Sequence, residues 1–127
     1  MKFFIVVFIM SLVVTIHCRC GSSDEKKESK TETQDITKNP DYQKGLAIVS
    51  KSDCFTCHKI DEKLTGPAYR DVANKYAGMP DTIIKHLASK ILKGGGGVWG
   101  EVPMVGHTSF TEEDAEAAVK YILLLKN

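Results

Sequence analysis

The pentapeptide Cys54-Phe55-Thr56-Cys57-His58 constrains the fold of this chain more than any other feature of its sequence. Two thiols three positions apart lie on one turn of a helix, where each can add across a vinyl group of one haem. The histidine directly after the pair is then placed under the porphyrin, where a ring nitrogen can bind the iron. The segment therefore predicts one covalently attached haem c, around which the chain has to fold.

The first 20 residues have the pattern of an export signal. Lys2 supplies a positive charge, and residues 3–16 are apolar apart from Ser11 and Thr15. This run has the length of a signal-peptide core and is short for a membrane span. Export agrees with the haem motif, because haem is attached covalently on the far side of the cytoplasmic membrane.

Two further cysteines, Cys18 and Cys20, follow the apolar run directly. A cysteine at this point is typical of a bacterial lipoprotein signal, in which it becomes the lipidated first residue of the mature protein. The small residue that usually precedes such a cysteine is replaced here by His17 or Arg19. Three outcomes stay open: lipid anchoring of the N-terminus, ordinary cleavage, and retention of the segment as an uncleaved anchor.

Residues 21–38 are predicted to be a flexible linker, and residues 39–127 the folded haem domain. The linker contains mostly Ser, Thr, Glu, Lys and Asp, and it has too little apolar surface to offset the entropy of ordering it. Eleven Lys and Arg residues of the domain are matched by eleven Asp and Glu residues. A nearly neutral domain does not indicate nucleic-acid binding.

Helical periodicity runs through the domain, and no alternating strand pattern is visible. Helix starts are predicted at Asn39-Pro40-Asp41, at Pro80-Asp81 and at Thr111, where Asp114 completes a variant of the capping box. Gly94 to Gly97 are predicted to end the third of four helices. The apolar faces comprise Leu46, Ile48 and Val49; Tyr69, Val72, Ala73 and Tyr76; Ile83, Ile84, Leu87, Ile91 and Leu92; and Ala115, Ala118, Val119, Ile122 and Leu123.

The expected fold is therefore all-α, with about four short helices wrapped around one covalently bound haem. Four short helices and long loops in under ninety residues make a thin core. A domain of this size usually needs an additional stabilising element, and a covalently held haem offers a large apolar plate for the helices to pack on.

Met104 is the best candidate for the second axial ligand of the iron. It lies in a loop punctuated by glycine and proline, whereas the rival Met79 precedes Pro80 at a helix start and is expected to be a packing residue. His86 falls beside an apolar helical stripe and is expected to be a surface or packing residue. His107 follows Met104 by three positions, so it could approach the haem, and its role is left open by the sequence.

With these motifs in place, the domain resembles the small bacterial monohaem class I cytochromes c. The resemblance covers nearly the whole domain, and several separate segments occur in the right order. They are the Cys54–His58 motif, Lys59-Ile60-Asp61, Leu64-Thr65-Gly66-Pro67-Ala68-Tyr69, Asp71-Val72-Ala73, Gly97-Val98-Trp99-Gly100, Pro103-Met104 and the closing amphipathic helix.

The resemblance implies roles for individual residues. His58 and Met104 would coordinate the iron, and the carbonyl of Pro67 would accept the other ring proton of the histidine. Trp99 would donate its indole N–H to a haem propionate, and Lys90 would correspond to the basic residue of the third helix. The family commonly continues after the methionine with prolines and then an asparagine that hydrogen-bonds the sulfur, whereas residues 105–107 are Val, Gly and His here.

The predicted function is that of an exported one-electron carrier, not an enzyme, located in the periplasm or on the outer face of a membrane. Its expected partners are membrane or periplasmic redox proteins such as oxidases or reductases, and the carrier is expected to be a monomer. The alternative is a haem enzyme or gas-binding sensor in which the methionine is displaced. A thiol oxidoreductase is not indicated, because the sequence lacks a strand-helix-strand pattern around the cysteines. A zinc site is not indicated either, because the sequence lacks a second pair of ligands.

Overall fold

The structure, a computed structural model, describes residues 35–127 and is mostly helical in that range. Between residues 35 and 127, no helix combines the length and the apolar composition that a membrane span requires. In chain order the elements are a 3-10 turn (Ile36–Lys38), α1 (Pro40–Lys51), α2 (Cys54–Cys57), α3 (Tyr69–Lys75), α4 (Thr82–Lys93), β1 (Gly95–Gly97), β2 (Gly100–Met104) and α5 (Glu112–Leu124).

Two helix starts are capped as the sequence predicts. Asn39 Oδ1 accepts hydrogen bonds from the backbone N–H groups of Asp41 at 2.8 Å and Tyr42 at 3.4 Å, which begins α1. At the start of α5, Thr111 Oγ1 accepts from the N–H of Asp114 at 3.1 Å, and Asp114 Oδ2 accepts from the N–H of Thr111 at 3.2 Å. Both pairs satisfy N–H groups that have no partner inside the helix.

Helix α5 lies at the centre of the core and contacts α1, α3 and α4. Four residues of its predicted face are buried, and the fifth, Leu123, packs at the edge of the core. Ala117 and Tyr121 of the helix and Leu125 directly after it are also buried. A Cβ on Gly45 of α1 would lie 3.1 Å from the carbonyl carbon of Ala117, so the two backbones approach closely. The Tyr42 and Tyr121 rings meet edge to face, with centroids 5.0 Å apart.

The predicted apolar stripe of α4 is only partly covered by protein. Ile91 is buried together with Ala88, and Ile84, Leu87 and Leu92 pack against the core from its edge. The other four residues of the stripe keep an intermediate exposure: Ile83, Ile84, Leu87 and Leu92. Four of the five predicted residues thus face the core, and the expectation that the stripe also packs on a haem stays a prediction.

A short β-hairpin follows α4, although the sequence showed no strand pattern. Gly94 ends the helix as predicted, with φ 71°, but Gly95–Gly97 then pair antiparallel with Gly100–Met104. Glycines carry no side chains that could alternate, so this pairing leaves no period-two signal in the sequence. The hairpin brings Met104 back to the end of α4, where a Cβ on Gly94 would lie 2.7 Å from the backbone nitrogen of Gly106.

Candidate functional site

Cys54 and Cys57 begin and end the single turn of α2. Both are free thiols; Cys57 is exposed and Cys54 is half-buried, with the Ser52 hydroxyl donating to its sulfur at 2.9 Å. The His58 backbone N–H closes the turn by donating to the Cys54 carbonyl at 3.0 Å. Both thiols are thus held one helical turn apart, directly before the histidine.

The ring of His58 is oriented by a backbone carbonyl nine residues further along the chain. Its Nδ1 lies 2.8 Å from the carbonyl oxygen of Pro67, which is the contact that the resemblance implies. A carbonyl oxygen only accepts, so Nδ1 carries the hydrogen and Nε2 keeps its lone pair. Nε2 makes no hydrogen bond within residues 35–127 and is available as a metal ligand.

The His58 ring packs between an aromatic ring and a glycine. Tyr69 stacks against it, with centroids 5.1 Å apart and planes 18° from parallel. On Gly66, a Cβ would lie 2.8 Å from both ring nitrogens, closer than real contacts allow. Sequence reasoning included Gly66 only as part of a motif; its place before Pro67 was the signal that could have suggested this close approach.

Burial raises the pKa of the Tyr69 phenol above its ordinary value, and the neighbouring Cys54 adds to the shift. The side chain is almost fully buried, so its neutral form is strongly favoured. Tyr69 therefore contributes an uncharged, rigid surface behind the histidine.

Met104 is the last residue of β2, half-buried and packed against the core. Met79 is 49% exposed in the loop before α4, so it is not the packing residue that the sequence analysis expected. Because Met104 packs against the core and its backbone belongs to β2, its thioether is better placed than that of Met79 to serve as an iron ligand.

Trp99 and Lys90 lie on separate elements, and the structure does not bring their side chains into contact. Trp99 occupies the turn of the hairpin, with the Lys75 ammonium 5.5 Å from its ring centroid, a cation–π distance. Lys90 is exposed in the last turn of α4. Neither the indole N–H nor the Lys90 ammonium has a hydrogen-bond partner in the described part of the chain, so both can serve an anionic group.

His107 forms a contact that the sequence did not suggest. Its Nε2 lies 2.8 Å from Oδ1 of Asp53, the residue directly before Cys54. Asp53 was missed because its partner is 54 positions away. His86, by contrast, is exposed on α4, in line with the surface role expected for it.

The residues of this region fit a covalently bound haem. The donor set is two free thiols, one imidazole nitrogen without a partner and one thioether. Several large apolar side chains within six positions of one of these groups are exposed and can contact an apolar ring: Phe55, Leu64, Val98, Val102 and Val105. Across residues 35–127, His, Cys, Asp and Glu form no cluster of three or more that could hold a metal ion.

Comparison with known proteins points in the same direction. The family model described as Cytochrome c matches residues 42–126. Cytochrome c-552 of Nitrosomonas europaea is 40% identical over 79 residues, which cover 62% of this chain and 76% of that protein. Cytochrome c-552 of Hydrogenobacter thermophilus is 44% identical over 79 residues, covering 62% and 79% respectively.

The same similarity extends to the three-dimensional structure. The crystal structure of wild-type Nitrosomonas europaea cytochrome c552 superposes with a TM-score of 0.60 at 40% identity. The superposition covers 64% of this chain and 99% of that one.

Proposed function

Because the chain belongs to the cytochrome c family, as a small class I cytochrome with one covalently attached haem c, we propose that it is an exported carrier that moves single electrons between respiratory redox partners. The family fixes the broader function, electron transport. The finer assignments concern the residues that hold the haem, the compartment and the partners.

Cys54 and Cys57 would form the two thioether bonds, and His58 and Met104 would be the axial ligands. The bound haem supplies an iron that alternates between Fe(II) and Fe(III). A methionine ligand favours Fe(II) and raises the reduction potential relative to a second histidine. The hydrogen bond from His58 Nδ1 to Pro67 carries this proposal, because it leaves Nε2 free and holds the ring in one orientation.

Two protein ligands on the iron would favour a carrier over an enzyme or a gas sensor. An iron with two protein ligands has no open position for a substrate, so it changes oxidation state with little movement of its surroundings. His107 was the feature in favour of the enzyme or sensor, and its Nε2 is engaged by Asp53.

Trp99 and Lys90 would bind the haem propionates. Lys75 lies over the Trp99 ring and would help to hold the indole in place for this contact. The ammonium groups of Lys75 and Lys90 would also lower the free-energy cost of bringing the propionate carboxylates into the protein.

The haem edge beside the cysteines and the methionine loop, bordered mostly by backbone and small residues, would form the docking face for membrane or periplasmic oxidases or reductases. Equal numbers of acidic and basic residues in the domain favour a brief encounter of a monomeric carrier over strong electrostatic steering. The proposed location is the periplasm or the outer face of a bacterial membrane.

Covalent attachment is tested by extracting the purified protein with acidified acetone. Colour that stays on the polypeptide supports thioether bonds at Cys54 and Cys57, and haem that extracts cleanly contradicts them. Replacing both cysteines by serine should abolish the retained colour.

The axial ligand is tested by comparing Met104→Ala with Met79→Ala. Methionine coordination to ferric haem gives a weak absorption band near the red end of the visible spectrum. Met104→Ala should abolish the band, lower the reduction potential and allow carbon monoxide to bind, whereas Met79→Ala should leave all three unchanged. An unchanged spectrum in Met104→Ala would reject the assignment.

A further inference from the structure

One hydrogen bond links the segment before the cysteine pair to the segment after Met104. Asp53 is the residue before Cys54, His107 is the third residue after Met104, and their side chains meet at 2.8 Å. The carboxylate only accepts, so His107 Nε2 donates. The two proposed attachment points of the haem, the cysteine turn and the methionine loop, are thereby connected through protein alone.

The histidine end of this link is firmly held. The backbone N–H of His107 donates to the Ile91 carbonyl at 2.8 Å, and its ring packs against Phe110 with centroids 5.4 Å apart. The side chain is 16% exposed. Its Nδ1 is buried without a partner in the described residues, so the bond to Asp53 is the one that orients the ring.

The aspartate end belongs to the cysteine turn. The Asp53 carbonyl accepts from the Thr56 N–H at 2.9 Å, while its side chain makes no capping bond to the helix. The carboxylate therefore has no local role in α2 that would account for its position. Its contact with His107 is the interaction that remains.

We propose that Asp53 and His107 form a clasp that keeps the methionine loop closed and so keeps Met104 on the iron. This proposal rests on the axial ligands assigned above. Movement of this loop would withdraw the thioether, and Val105 in the loop is 80% exposed and offers little packing to resist the movement. A bond that must break during opening lowers the population of the open state.

The loop has a second hold, which limits the expected effect. Gly106 lies against the end of α4, where a Cβ would be 2.8 Å from the carbonyl carbon of Lys93. Asp53 is also largely exposed, so water weakens the clasp. Loss of a bond of this kind should raise the open population about threefold to tenfold.

Imidazole binding to the ferric holoprotein measures this population, because imidazole takes the iron position that Met104 vacates. His107→Ala and Asp53→Ala should each tighten the apparent imidazole affinity about threefold to tenfold. The double variant should show no more than the larger single effect, since the two residues act through one bond. D53N keeps an acceptor oxygen and should restore most of the native affinity.

Two matched controls separate the clasp from a general change in charge or surface. His86→Ala removes an exposed histidine from α4, and Glu101→Ala removes an exposed acid from the strand that carries Met104. Both should bind imidazole like the unmodified protein.

Unchanged imidazole affinity in His107→Ala and Asp53→Ala, or single effects that multiply in the double variant, would overturn the clasp. Failure of the assigned function gives a different result: the unmodified ferric protein would lack the red band, or the band would survive in Met104→Ala. A protein that shows the Met104-dependent band but no clasp effect refutes the clasp alone.

Discussion

Gly66 lies so close to the His58 ring that a single methyl group cannot be inserted between them. A Cβ on Gly66 would stand 2.8 Å from both Nδ1 and Nε2 of that ring. The backbone N–H of Gly66 is also fixed, because it donates to the Cys57 carbonyl at 2.9 Å. The residue thus combines the loop, the cysteine turn and the histidine in one tight contact.

Gly66→Ala should therefore displace the His58 ring or the loop. We expect the free energy of unfolding to fall by about 1–3 kcal/mol, the usual cost of overpacking, together with a shift in reduction potential. Denaturant unfolding and a redox titration of the holoprotein measure the two effects. Gly96→Ala is the matched control, because a Cβ on Gly96 would lie 3.7 Å from its nearest neighbour, an ordinary contact distance. This substitution should change neither the free energy of unfolding nor the reduction potential.

The stability of the domain should fall at alkaline pH through Tyr69. Burial keeps the pKa of its phenol above the ordinary value of 10.0, whereas in the unfolded chain the same phenol has a pKa of about 10. Above that pH the unfolded state releases a proton that the folded state retains. The contribution of the neutral Tyr69 phenol to the free energy of unfolding is therefore fully present below about pH 10. Above that pH it is lost by up to about 1.4 kcal/mol per pH unit.

Urea unfolding of the holoprotein from about pH 8 to about pH 11, on both sides of the ordinary phenol pKa of about 10, tests this prediction. Tyr69→Phe should give a shallower loss of stability above pH 10, and Tyr76→Phe, at the end of α3, should not. Equal slopes in the unmodified protein and Tyr69→Phe would contradict the prediction.

Thr111→Ala should destabilise the domain by about 1 kcal/mol, because the side chain caps the central helix α5. The measurement is the midpoint of denaturant unfolding at constant slope. Thr108→Ala, four residues after Met104 and exposed, serves as the control and should have an effect within about 0.5 kcal/mol of zero. A control effect as large as that of Thr111→Ala would argue against the capping role.

Cys18 and Cys20 lie outside the described residues, and their proposed role is to anchor the protein to a membrane. The predicted linker before the 3-10 turn, residues 21–35, would span roughly 19–23 Å as a flexible chain, enough to let a tethered haem domain reach neighbouring complexes. Replacing both cysteines by serine should release an otherwise intact cytochrome from the membrane fraction if they are lipidated. Retention would indicate an uncleaved apolar segment, and an unmodified protein that is fully soluble would reject the tether.

What the sequence determined by itself lies in short segments. The Cys54–His58 motif and the caps at Asn39 and Thr111 depend on residues within a few positions of one another, so spacing alone predicts them. The helical fold follows from the same local patterns, and the family resemblance added the expected contact between His58 and Pro67.

Only the tertiary structure decided how distant segments meet. The Asp53–His107 bond, the close approach of Gly45 to α5 and the half-covered stripe of α4 depend on the path of the chain between their partners. The glycine hairpin belongs to this group as well, because its pairing is made by backbone groups and leaves no trace in side-chain periodicity. Local periodicity records which face of an element is apolar, whereas the partner of that face is set by packing across the whole domain.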